Sequence, residues 1–190
     1  EPIHPHLLLT EILRETATMV MLVCIGLLAG KRFSEKFAWF IYSFAVWDIF
    51  YYIFLWLLVD WPESLMTWDL LFLIPGTWTG PVITPLILTV IMILFAWFIL
   101  TAAVKGKNSR IAPIEWLALL VGSGIVVTAF MTDYLKHMLK TFAPGELLRA
   151  GDPRIMEMAQ QYVPESFPWL LFVAGTLVIL APVIRFRIRV

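Results

Sequence analysis

From Phe37 to Val59 the sequence carries one charged side chain, Asp48, and its aromatic residues fall on every side of a helix. A helix with no polar face needs an apolar solvent around it, and that requirement constrains the fold more than anything else in the chain. Four further apolar runs follow the same rule, at about 7–30, 82–104, 113–132 and 167–184. About 20 apolar residues cross the hydrocarbon core of a bilayer, and the last run is a little short of that. Composition agrees. Apolar residues make up 61% and charged residues 15% of the chain, against about 45–50% and about 25% in soluble domains. The expected fold class is all-α: a polytopic membrane protein, one integral domain over residues 1–190, built as a bundle of five transmembrane helices.

Two connections interrupt the bundle. Asp60 and Glu63 have the spacing of a capping box, with Pro62 in the first turn, and Pro75-Gly76 would stop whatever helix they start. Residues 61–74 are therefore read as a short helix, either interfacial or re-entrant. Trp61, Trp68 and Trp78 favour the interfacial form, since Trp gathers at headgroup level. Residues 133–166 are read as an extracytoplasmic helical loop, with Gly151 as a stop, Asp152-Pro153 as a start and a surface helix from Met156 to Tyr162.

Basic residues set an orientation. Three fall at 31–36, three at 105–110 and three at 185–189, nine of the fourteen Lys and Arg. With five spans all three clusters share one side. The positive-inside rule makes that side cytoplasmic, with the N-terminus outside and the C-terminus inside, in a plasma (inner) membrane. No cleavable signal peptide is expected, because Glu11, Arg14 and Glu15 sit in the first apolar run.

Polar groups within the spans are few. Glu11, Arg14, Glu15 and Thr18 form one stripe on the first helix. Arg14 and Glu15 lie roughly 10–12 Å below its outer end, and Asp48 lies roughly 16 Å from either end of the second helix. An intramembrane charge needs a partner or a water cavity. The sequence therefore pairs Asp48 with Arg14, assisted by Tyr51 or Tyr52, with Glu15 as a third member. One reading of this cluster is an ion pair holding two helices in register; the other is a polar ligand site or proton path. Glu115, about 6 Å from the basic end, is read as solvated at the interface.

His4, His6 and His137 share the outer side with Asp133, and imidazole suits zinc or copper. Their spacing matches no metal signature, so structural roles are the plainer reading. No span contains a histidine, which disfavours a haem between helices. Cys24 has no partner for a disulfide. No phosphate loop, nucleophile elbow, HExxH or CxxC occurs, and a net charge of zero gives no reason to expect nucleic acid.

These features rank three function classes. First is an accessory subunit of a larger energy-transducing complex, respiratory or photosynthetic, packing on other integral subunits, lipids, pigments or quinone and serving electron transport. Second is a small transporter or channel using Glu11, Arg14, Glu15 and Asp48. Third is a membrane enzyme acting on lipid or quinone.

Overall fold

A computed structural model describes residues 5–74, 76–146 and 153–190, leaving aside the side chains at 5–8, 153, 156 and 160. Its elements are α1 (Pro5–Ala29), α2 (Phe33–Val59), β1 (Trp68–Phe72), β2 (Trp78–Pro81), α3 (Ile83–Val104), α4 (Pro113–Leu139), α5 (Pro153–Gln160) and α6 (Trp169–Arg189). Five helices, all but α5, are long and apolar enough to cross a membrane.

Three of these helices run past the expected ends, each for an electrostatic reason. The Glu35 carboxylate accepts the backbone N–H groups of Lys31 (3.1 Å) and Arg32 (3.5 Å). This satisfies orphan donors at the start of α2 and lets the helix begin at Phe33, before the apolar run. Asp133 does not stop α4, because its carboxylate is bonded to the 162–166 segment while the backbone continues to Leu139. Likewise α6 continues through Arg185 and Arg189, one turn apart, both facing Glu115. A charge met at the edge of an apolar run marks an end only when water is its best partner.

The bundle packs as α1 on α2, α2 on α3, and α4 on α6. One buried cluster, including Ile41, Phe95, Ile99, Val183 and Phe186, fills the half near the basic residues. A second, of Val126, Ala129, Phe130 and Phe172, fills the other half. The basic loops meet at one end: Ile111 N–H donates to Ser34 Oγ (3.1 Å), and Arg189 donates to the Arg110 carbonyl (2.7 Å).

The opposite end corrects the expectation of a helix at 61–74. Asp60 instead closes α2 with a left-handed backbone (φ 54°), and its N–H reaches back to the last turn. Ser64 N–H then bonds Thr67 Oγ1 in a tight turn. β1 pairs antiparallel with β2, Trp68 opposite Pro81 and Leu70 opposite Thr79, with an irregularity before Phe72. A helix this short gains little beyond its nucleation cost and still leaves about eight backbone groups unpaired at its ends. The hairpin pairs them across strands, and Pro81 sits at a strand end, where its missing N–H costs no ladder bond.

Beyond α4, α5 forms from Pro153 to Gln160, earlier than the 156–162 expected. The stop at Gly151 and start at Asp152 lie outside the described residues.

Candidate functional site

Beneath the hairpin a cavity of about 300 Å³ opens between α1, α2 and β1. All six of the side chains Glu11, Arg14, Glu15, Asp48, Tyr51 and Tyr52 line it. The pairing among them differs from expectation. Arg14 does not meet Asp48. Its guanidinium pairs with Glu11, one turn back on the same face of α1, with Nε 3.0 Å from the carboxylate. That partner is covalently close, so the contact costs little ordering, whereas Asp48 sits on another helix with the hairpin beside it.

Glu15 is buried and spends its charge elsewhere: both carboxylate oxygens accept the Leu73 N–H at 3.1 Å. This bond ties α1 to the hairpin and supplies a partner for a backbone donor at the end of β1.

Asp69 on β1 is the member that sequence reasoning missed. Tyr52 O–H donates to its Oδ2 at 2.8 Å. Burial pushes the Asp69 carboxyl above the ordinary carboxylate range, and the bonds from Tyr52 and the Leu70 N–H pull the other way. Asp48 lines the same cavity as this second carboxylate, and no ion pair joins it to an arginine among the described residues. Its Oδ2 is buried with no hydrogen-bond partner. Tyr51 lies in the field of Arg14, Glu11, Asp48 and Asp69 together.

The cavity changes character with depth. Its floor includes Phe44, Trp78, Leu88, Met92 and Phe130, and the same five residues line a second, almost wholly apolar cavity of about 400 Å³ deeper in the bundle. Trp78 stands at the junction, stacked on Phe130 with ring centroids 6.0 Å apart, and its Nε1–H is buried without an acceptor. The space therefore offers acidic groups at its mouth, one free indole donor at mid-depth and hydrocarbon below.

The remaining candidates fall elsewhere. Asp133 is fully engaged, accepting from Tyr162 O–H (2.8 Å), Glu165 N–H (3.0 Å) and both the N–H and O–H of Ser166. Tyr162 also bonds Thr79 Oγ1 at 3.0 Å, so this knot staples β2, α4 and the lead-in to α6. Burial is the chief influence holding the Tyr162 phenol above its ordinary range. His137 packs on the Tyr162 ring at 5.3 Å. His4 and the His6 side chain lie outside what the structure describes. Among the described residues no three His, Cys, Asp or Glu side chains are arranged to hold a metal ion.

Glu115 is also corrected. It is 1% exposed rather than solvated. Its Oε2 accepts the Ala112 N–H (2.7 Å) and a bond from Arg189 Nη2 (3.0 Å), and Arg185 Nε lies 3.7 Å from Oε1. The arginines that follow the last apolar run supply its counter-charge.

Compared with known proteins, the chain matches no family model, no curated protein and no solved structure.

Proposed function

We propose that this chain is a non-catalytic accessory subunit of a membrane assembly, and that the cavity beneath its hairpin holds an amphiphile with an amine-bearing headgroup. The observation carrying this reading is the joined pair of cavities, acidic at the mouth and apolar at the floor. Four carboxylates and one arginine line the mouth, and Arg14 is already paired with Glu11. Among the described residues Asp48 and Asp69 therefore have no ion-pair partner, and an ammonium group supplies one. The free Trp78 N–H suits an ester or phosphate oxygen a few ångströms deeper, and a hydrocarbon tail fills the space below. Partner contact is supported by the outer face of α2, where Phe50, Phe54 and Leu57 are exposed. The same face suits lipid, and membership of an energy-transducing complex rests on this reading. A route across the bilayer is less well supported, since the second cavity, which reaches Phe95, Leu119 and Val183, is almost wholly apolar and offers a polar solute or ion no partners.

Dodecylamine and dodecanol, equal in tail and different in head, test the cavity. Binding to the purified protein in mild detergent, followed by the shift in melting temperature, is expected to favour the amine by about tenfold, about 1.4 kcal/mol. Asp48→Asn with Asp69→Asn removes the preference. Equal binding of the two probes, or an unchanged preference in the double variant, overturns the assignment.

Orientation belongs to the same proposal: the basic end faces the cytoplasm of an inner membrane and the hairpin faces out. A single cysteine placed at Lys107, in a Cys24→Ser background, is expected to react with an impermeant maleimide only after the cells are opened. Labelling of intact cells at that position reverses the topology.

A further inference from the structure

At the basic end the three arginines of α6 divide between two tasks. Arg185 and Arg189, four residues apart, share a face and turn to Glu115. Arg187, between them, projects from the other side and lies over the Phe98 ring of α3, 5.6 Å from its centroid. There it joins Lys105 and Lys107 around a pocket of about 160 Å³, whose remaining wall includes Trp97, Phe98 and Thr101.

No Asp or Glu side chain lines this pocket, and Val190 contributes main-chain oxygen to its wall. Lys107 donates its amine to the Val190 carbonyl, and no ion pair joins Lys105 or Arg187 to an acidic side chain among the described residues. Cations near a helix C-terminus complement its dipole, and that accounts for one of them on α6. The same effect covers Lys105 and Lys107 at the C-terminal end of α3, but it does not account for cations from two helices gathering around one concave space. The flanks of the pocket are apolar and open: Trp97 is 62% exposed, and Val104 and Ile188 beside it are more so. A cationic recess at the end of two spanning helices, bordered by exposed apolar side chains that include Trp97, has the chemistry of an anionic lipid site.

We propose that this recess binds the phosphate of an anionic phospholipid headgroup between Lys105 and Arg187, with an acyl chain descending along Trp97. The phosphate meets Lys105 and Arg187, neither of them in an ion pair among the described residues, while the tail stays in the membrane. Because the recess lies at the opposite end of the bundle from the amphiphile cavity, the two sites can fail separately.

Native mass spectrometry of the full chain from mixed micelles reads the bound lipid directly. Phosphatidylglycerol and phosphatidylcholine with identical acyl chains are offered in equal amounts. Retention of phosphatidylglycerol is expected to exceed that of phosphatidylcholine by about tenfold. The Lys105→Gln/Arg187→Gln variant is expected to lose that preference, while Lys136→Gln/Lys140→Gln, at the other end, keeps it. Melting temperature shows that both variants are folded. Equal retention of the two lipids by the unaltered protein overturns the proposal, and so does a preference that survives in the first variant. Displacement of the lipid by excess inorganic phosphate assigns the recess to a soluble phosphate and overturns the lipid assignment as well.

Discussion

Gly122→Val is expected to lower stability by about 3 kcal/mol, at the upper end of overpacking costs, and the melting temperature by roughly 6–12 °C. A Cβ at Gly122 would stand 2.7 Å from Ile179 Cγ1 and 3.0 Å from both the Gly175 carbonyl oxygen and the Ile179 nitrogen. Two of those three atoms are backbone of α6, which cannot rotate out of the way. Gly175 makes the reciprocal approach, its own Cβ position lying 2.8 Å from Val126 Cγ2 and 3.0 Å from the Val126 nitrogen. Between helices in lipid there is no hydrophobic drive to association, so close backbone packing through small residues carries much of the contact energy. α6 has most of its packing against α4, and forcing this crossing apart would also shift Arg185 and Arg189 relative to Glu115. Gly124 is the control on the same helix: a Cβ there meets nothing within 4 Å. Gly124→Val should melt within about 1 kcal/mol of the parent, the scale of helix propensity differences. Equal losses at 122 and 124, measured by thermal melting in detergent, would mean that α4 and α6 do not cross at this pair.

The spanning helices could be read directly because lipid removes ambiguity: a long run without a polar face has few places to go. Phe37–Val59 is such a run, and its helix follows. What the sequence concealed was always a choice of partner. Glu35, Asp133 and Arg185 look like helix ends when each charge is imagined in water, and each proves to be a bonded member of a longer helix. The 68–81 segment was hidden for a related reason. The local signals around it, a capping box at Asp60 and Glu63 and prolines at 62 and 75, describe helix ends, whereas the backbone of 68–72 pairs with a strand that begins ten residues after it does. An outward helix there would keep Asp69 away from Asp48 and leave Arg14 as the partner within reach. The polar stripe of α1 and the carboxylate of α2 do come to one cavity. Depth along a helix is legible from counting residues, but rotation about its axis, and what stands between two helices, is not.

Arg189→Gln combined with Arg185→Gln is expected to cost about 3 kcal/mol, because it leaves the Glu115 carboxylate buried without a counter-charge. The geometry makes this asymmetric. Glu115 has a side chain fully removed from solvent, while those of Arg189 and Arg185 are 30% and 65% exposed. Losing the arginines therefore strands a charge that cannot reach water, and the Ala112 N–H bond at 2.7 Å compensates only in part. Losing the carboxylate instead, in Glu115→Gln, releases two arginines that can turn outward. It should cost only about 1 kcal/mol, the scale of one ordinary hydrogen bond, since the amide oxygen still caps the Ala112 N–H. The triple variant should then recover most of the loss, ending nearer the Glu115→Gln protein than the arginine double. Additivity would give the opposite order, the triple variant being the least stable of the three. Melting in detergent at neutral pH separates the two orders, and an additive result would remove the Glu115 pairing as the reason why α6 runs on past its apolar segment to Arg189.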